Sequence, residues 1–329
     1  MTSLIDDKLA SAVRRAAVRA TLAPSVHNTQ PWQFRFSSTT LDVHADWNRR
    51  LRVLDPRGRH LMLSCGCAVF TARVALAATG YNARIERFPD PTRPTLVARL
   101  TLPEPVTAGI PIATLEPMIE SRHTNRRRFA DQTVPVEVVD ALSQIATDEG
   151  AELFAITRPE HRLATARLSQ HADNLENIDP AYRAELRAWT SDDLRRRDGV
   201  PAKAVPHVAA GKPDEVPIRD FDTHGNGRLP SDTHSSAQQC LLLLGTRQDT
   251  PVAWLHAGEA LQHVLLELTR RGYAASPLTQ VTEVAATNVM LRQELHLSMF
   301  PHVLLRVGRP PPTPATRRRR LVDMLEEFT

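Results

Sequence analysis

Cysteine and lysine are both scarce in this chain of 329 residues, and each shortage removes a class of protein. The three cysteines are Cys65, Cys67 and Cys240. An odd, low count excludes a disulfide framework and fits a reducing compartment, so a cytoplasmic protein is expected. Cys65-Gly66-Cys67 with His60 nearby does not make a zinc centre, because a structural zinc needs about four ligands and there is no second cysteine pair. No metal site is expected. Lysine occurs only as Lys8, Lys203 and Lys212, so nearly all of the basic charge is arginine. The formal net charge is +4 and most arginines are interspersed with acids. Nucleic-acid binding instead gathers basic residues on one element beside groove-reading partners, so no nucleic-acid partner is expected. No basic-then-apolar leader opens the chain. No apolar run is expected to reach the ~20 residues that span a bilayer, so no membrane partner is expected either. Gly-x-Gly-x-x-Gly, Gly-x-x-x-x-Gly-Lys and Gly-x-Ser-x-Gly are all missing, which excludes a separate nicotinamide domain, a P-loop and a nucleophile elbow.

Hydrophobic residues make up 42% of the chain, enough for a sizeable core. Apolar positions Leu9, Val13, Ala16, Ala17 and Ala20 recur at helical spacing and predict a helix over 6–22. Strands are expected at 32–36 and 40–44, then a helix over 60–79 stopped by Gly80. That helix is apolar around most of its surface and must be buried. Strands near 82–88 and 95–102 close a first half (1–102), and a Pro- and Thr-rich linker follows (103–120). In the second half (121–329), helices are expected at 135–147, 159–176 and 180–196, with a strand at 152–157. A helix over 251–271 ends at Gly272, and the last strand is 301–308. Residues 197–234 carry few aliphatics. A loop of that length is uncommon in a compact domain and reads as a lid or a disordered insertion.

The two halves echo one another. Leu63-Ser64-Cys65-Gly66-Cys67-Ala68, an apolar helix and Thr79-Gly80-Tyr81 return as Leu255-His256-Ala257-Gly258-Glu259-Ala260, a helix and Arg271-Gly272-Tyr273. Gly258 and Gly272 each lie 192 positions after Gly66 and Gly80. Equal offsets at both ends mean equal helix lengths, the mark of an internal duplication. Each glycine fits either close helix packing or a helix stop.

The polar stretch Ala23-Pro24-Ser25-Val26-His27-Asn28-Thr29-Gln30-Pro31-Trp32 lies between a helix and a strand, where binding groups usually sit. Its pattern, APSxxNxQPW, resembles the flavin-binding loop of the FMN-dependent nitroreductase family. Arg122-His123-Thr124-Asn125-Arg126 resembles that family's Arg-x-Ser-x-Arg/Lys motif. The chemistry is direct: a phosphate asks for charge-assisted donors, and the guanidinium fork is bidentate. A spacing of two puts Arg122, Thr124 and Arg126 on one side of an extended segment. The family's dimers build two flavin sites, each from both subunits. Here the loop occurs only in the first half and the arginine motif only in the second. A fused pair would therefore keep one site, and the whole chain resembles the Acg-like branch of the family, a pseudo-dimer in one polypeptide.

The resemblance implies an α+β, nitroreductase-like fold, internally duplicated, with two small mixed or antiparallel sheets flanked by helices and joined through long central helices. It implies one FMN per chain. Pro24, Ser25, Asn28 and Gln30 would bind the pyrimidine edge or the ribityl chain. Arg122 would hold the phosphate, Thr124 the phosphate or the ribityl chain and Arg126 the N1/O2 edge of the ring, with His123 also among the cofactor-binding residues. The segment 272–280 stands where the family has a Pro-x-Glu-Gly loop, with Thr279 and Gln280 at the Glu and Gly positions. Arg317 or Arg318 is expected on the phosphate. Trp32 reads as a core anchor, and His27 and His123 as structural hydrogen-bonders or proton donors. The implied function is NAD(P)H-dependent reduction of small nitro- or quinone-type acceptors, with no catalytic side chain assigned. The alternative is a catalytically silent flavoprotein that stores or sequesters FMN beneath the 197–234 segment. A chain that buries the family interface internally favours a monomer.

Overall fold

A computed structural model describes residues 2–103, 105, 109–126, 129, 132–191, 193, 195–201, 204, 216–219, 221, 239–312 and 315–325. Most of the expected 197–234 insertion therefore lies outside the described residues. The first half runs α1 (Thr2–Ala20), β1 (Trp32–Phe36), β2 (Thr40–Ala45), α2 (Arg59–Ala78), β3 (Arg84–Arg87) and β4 (Leu96–Thr101). A short helix, α3 (Met118–Ser121), leads on to α4 (Val136–Asp148), β5 (Glu152–Ala155), α5 (Pro159–Ile178) and α6 (Pro180–Ala188). The chain then completes β6 (Cys240–Thr246), α7 (Pro251–Arg270), β7 (Ala274–Pro277), α8 (Gln280–Glu283), α9 (Ala285–Glu294) and β8 (Phe300–Gly308).

Two four-stranded sheets result, ordered β1-β2-β4-β3 and β5-β6-β8-β7, with every pairing antiparallel. The orders are identical once β1, β2, β3 and β4 are matched to β5, β6, β7 and β8. The register slips at the same place in both, at Val43/His44 in β2 and Leu244/Gly245 in β6. The second copy differs by two insertions: α5, α6 and the segment beyond them between β5 and β6, and α8 with α9 between β7 and β8.

The halves meet where α2 crosses α7. A Cβ on Gly66 would lie 2.2 Å from the Leu255 carbonyl oxygen and 2.8 Å from the Gly258 Cα. A Cβ on Gly258 would lie 2.1 Å from the Leu63 carbonyl oxygen and 2.9 Å from the Gly66 Cα. The repeat-related glycines thus face each other across a local pseudo-twofold axis, and no side chain fits there. Both helices end alike: Gly80 and Gly272 take φ of 89° and 78°, and Tyr81 and Tyr273 donate back to the carbonyls of Leu76 and Leu268 at 3.0 and 2.8 Å.

Contrary to the sequence expectation, α2 is long and apolar enough to cross a bilayer by composition alone. Its apolarity is accounted for by burial between α1 and α7. β6 is not among the expected strands; its run Leu241-Leu242-Leu243-Leu244 is buried on both faces, and a continuous apolar run of that length fits a buried helix segment as well as a strand. The short α8 and α9 are also outside the expected elements, and the helix expected to reach 196 ends at Ala188.

Candidate functional site

The polar loop after α1 is held in a demanding conformation. His27, Asn28 and Gln30 have φ of 45°, 55° and 50°. Left-handed backbone is costly for residues with a Cβ, and such strain persists where neighbours over-determine it. Here they do. The Ser25 hydroxyl accepts from the Gln30 amide at 2.9 Å, and Arg49 Nε donates to the Thr29 carbonyl at 2.6 Å. Asn28 Nδ2 donates to the carbonyls of Gly199 (2.9 Å) and Arg317 (3.1 Å). Gln30 Nε2 donates to the Arg197 carbonyl at 2.9 Å, and its Oε1 accepts from the Arg319 amide at 2.7 Å. Trp32 is fully buried in the core.

Beside this loop opens a cleft enclosing about 850 Å³, its mouth included. Its floor is apolar, made by Leu63 and Cys67 of α2, Leu261 and Leu265 of α7, and Val303 of β8. Pro24, Ser25, Val26 and His27 form one wall, with Thr124 and Arg126 beside them. Ile218, Arg219 and Phe221, from the insertion, form another. A second cavity enclosing about 400 Å³, its mouth included, shares Pro24, Ser25, Thr124 and Arg126, and adds Asn28, His123, Thr316 and Arg318. The two form one slot, apolar at one end and polar at the other.

The polar end has an unbalanced charge. Arg318 lies within electrostatic reach of both Arg122 and Arg126 there, and among the described residues none of the three pairs with a carboxylate. Burial pushes Arg122 and Arg126 down to about 10, with Arg219 adding to the shift of Arg126. Burial, then Arg122 and Arg126, push Arg318 down to about 9. Arg122 Nε is buried with no hydrogen-bond partner among the described residues. Arg126 lies over the Phe221 ring at 5.0 Å. Arg318 is aimed by donating to Thr316 Oγ1 at 2.7 Å and to the Ala23 carbonyl at 3.3 Å. His123 is held below its usual range by burial and by Arg122 and Arg318. Cations of one sign held together out of water repel, and an anion between them relieves the cost.

The opposite wall is internally balanced. Arg219 donates to Tyr182 Oη at 2.5 Å, to Thr279 Oγ1 at 3.4 Å and to the Glu283 carboxylate. Burial opposes ionisation of Glu283, but the Arg219 charge prevails and holds its carboxyl down to about 2. Glu176 goes the other way, raised by burial and by the nearby charge of Glu283. His27 and His60 are held far below their usual range by burial, then by Arg219 and Arg59 respectively. Burial pushes the Cys67 thiol up to about 12, so the cleft floor presents no thiolate.

The slot thus brings together Pro24, Ser25, Asn28, His123, Thr124, Arg126, Thr279 and Arg318, with Arg122 behind them. Gln30, Arg122, Gln280 and Arg317 line neither cavity. The Gln280 amide is turned to Asp173 of α5, and Arg317 offers its carbonyl to Asn28. Sequence reasoning missed Arg219, Phe221 and His60. Arg219 and Phe221 sit in the polar insertion with no motif around them, and only the tertiary fold delivers them to the cleft.

No protein-family model matches the chain. It is 34% identical over 329 residues to the "Putative NAD(P)H nitroreductase Rv3131" of Mycobacterium tuberculosis, covering 96% of this chain and 92% of that protein. It is 33% identical over 333 residues to the "Putative NAD(P)H nitroreductase acg" of the same organism, covering 98% and 96%. Among solved structures, a nitroreductase with bound FMN from Desulfitobacterium hafniense overlays with a TM-score of 0.42 at 11% identity, over 65% of this chain and 98% of that one.

Proposed function

The chain belongs to the nitroreductase family of Rv3131 and Acg, and from that premise we propose that it is an FMN-binding oxidoreductase that takes electrons from NAD(P)H and reduces small nitro- or quinone-type acceptors. The observation that carries this reading is the guanidinium cluster with no carboxylate partner among the described residues, at the polar end of a slot with an apolar floor. That donor set fits a flavin mononucleotide, which joins a phosphate dianion to a flat aromatic ring. Arg122, Arg318 and His123 would hold the phosphate, with Thr124 and Asn28 beside them. Arg126 spans both cavities and would serve the polar edge of the ring. Bound FMN supplies two-electron chemistry, which the protein tunes and orients.

The chain's own residues set the conditions. Leu63, Leu261, Leu265 and Val303 keep water from the cleft floor. The Arg126 cation favours negative charge that develops beside it. Cys67 remains a thiol and His27 remains neutral, so neither is a nucleophile or a proton donor from a charged state. The pseudo-equivalent position on the other side of the α2–α7 crossing lacks both the loop and the arginine cluster, which supports one FMN per chain. The internal crossing itself supports a monomer. The free thiols of Cys65, Cys67 and Cys240 support a reducing, cytoplasmic setting.

One observation favours a second reading, in which the chain stores or sequesters FMN. Ile218, Arg219 and Phe221 already line the cleft, with Arg219 clamped to Glu283. One experiment separates the two: a visible spectrum and flavin count on the purified chain, then anaerobic NADPH or NADH. About one FMN per chain that bleaches quickly supports the reductase. One FMN that bleaches only with dithionite supports sequestration. A chain that neither carries nor takes up FMN overturns both.

A further inference from the structure

His27 lines the cleft, is 7% exposed, and adopts a φ of 45° that few side chains accept without a reason. Its Nε2 lies 3.1 Å from Arg219 Nη1. A guanidinium only donates, so Nε2 must accept, and the ring is therefore neutral with its proton on Nδ1. Nδ1 is itself buried and has no hydrogen-bond partner among the described residues. An N–H deprived of a partner is costly, and natural structures keep few such groups. The charged and titratable groups that face the ring are Arg219, Glu283, Arg126 and His60. Phe221 packs edge-on against it at 5.3 Å.

We infer that His27 is a positioning residue whose Nδ1–H, fixed in that tautomer by Arg219, donates a hydrogen bond to an acceptor atom on the planar group that occupies the cleft. The inference rests on the FMN reading. It adds a donor that belongs to neither the arginine motif nor the backbone of the loop. It also gives Arg219, delivered by the insertion, a task at the site: it sets which nitrogen of His27 carries the proton.

The test has two arms. In ¹⁵N-histidine-labelled full-length chain, His27 should show a protonated Nδ1 and a bare Nε2, unchanged between about pH 6 and about pH 8, with Nδ1 shifting on addition of FMN. A protonated Nε2, or an imidazolium at neutral pH, overturns the inference. In the second arm, H27F keeps a ring of similar shape but removes the donor, and leaves Arg219 bonded to Tyr182 and Glu283. H27N retains an N–H donor and tolerates left-handed backbone. H27F should bind FMN about tenfold more weakly, the value of one buried hydrogen bond. H27N should recover most of the loss, and inorganic phosphate should compete with FMN equally well in all three. FMN binding by H27F as tight as by the parent overturns the inference. If H27F does not fold, the resonances of the parent decide. If the parent itself takes up no FMN, the cofactor reading fails and this ligand role fails with it, while the tautomer assignment is still judged by the first arm.

Discussion

The two sides of the α2–α7 crossing began as copies and now do opposite things. On one side the cleft floor is Leu63 and Cys67 from α2 with Leu261 and Leu265 from α7. The residues 192 positions away, on the other side, are Leu255, Glu259, Val69 and Arg73. A thiol and a leucine have become an ion pair. Arg73 donates to Glu259 at 2.8 Å and to Glu149 at 2.5 Å; Arg87 grips Glu259 at 2.7 and 3.0 Å; His263 meets Glu149 at 3.0 Å. Glu149 comes from the three-residue connection between α4 and β5, where the first half has an eleven-residue connection between α1 and β1 that carries its polar loop. One side keeps Arg122, Arg126 and Arg318 with no carboxylate partner among the described residues, beside an apolar floor. The other neutralises its cations with acids in the space a ligand would need. A duplicated fold thus retires a site by filling it with charges that satisfy each other, and keeps a site by leaving charge unsatisfied.

The comparison breaks most visibly on the filled side. E259Q would leave Arg73 and Arg87 facing a neutral amide in a fully buried position. Losing one partner of a buried network costs about 3–5 kcal/mol, whereas C67A, its counterpart on the cleft side, should cost about 1 kcal/mol. Urea unfolding of the pair measures the asymmetry, and equal losses would show that the two sides are not specialised. A pH series probes the same network. Burial alone would raise Glu149, but the hydrogen bond from His263 and the charge of Arg73 pull it from 4.5 to about 2. A carboxyl depressed in the folded state stabilises the fold above its unfolded pKa. That stability is lost as pH falls from 4.5 towards about 2, and amounts to about 3 kcal/mol. E149Q should flatten this acid limb of the melting temperature; an unchanged limb would place the acid sensitivity elsewhere.

On the axis itself the sides should behave alike. G66A and G258A each force a Cβ into the facing helix backbone and should cost similar amounts, about 2–3 kcal/mol. The double variant should cost less than the sum, because both changes push the same two helices apart. Strongly unequal losses would argue against a local twofold.

The sequence made this axis legible because its signals are local and repeated: a glycine at the helix crossing, a glycine at the helix end, and one offset for both. The loop and the arginine segment were legible for the same reason, as short motifs of contiguous residues. What sequence could not show was which polar residues face the slot. Asn28 and Gln30 sit two apart in one loop, yet Gln30 is spent on Arg197 and Arg319, and that depends on where distant chain segments return. Arg219 and His60 were invisible for a related reason: one lies in a segment without periodicity, the other on a helix apolar almost all round. The filled second side was hidden too, since Arg73, Glu149 and Glu259 look like ordinary surface charges until the fold buries them together.

The sharpest form of the comparison asks what removing one charge does on each side. R122M replaces a buried cation that has no carboxylate partner among the described residues with an apolar chain of similar length. The fold loses no ion pair and sheds a desolvated charge, so the flavin-free chain should melt no lower than the parent. The affinity for FMN should fall about thirtyfold, the value of a charge-assisted contact to phosphate, while riboflavin, which lacks the phosphate, should bind both chains equally. Burial holds Arg122, Arg126 and Arg318 below the usual guanidinium range, with Arg219 adding to Arg126 and with Arg122 and Arg126 adding to Arg318, yet a guanidinium keeps its proton across the ordinary pH range, so the attraction for the phosphate should persist there. If R122M instead unfolds as E259Q is expected to, Arg122 is a structural cation and the asymmetry between the two sides is not one of ligand against fold.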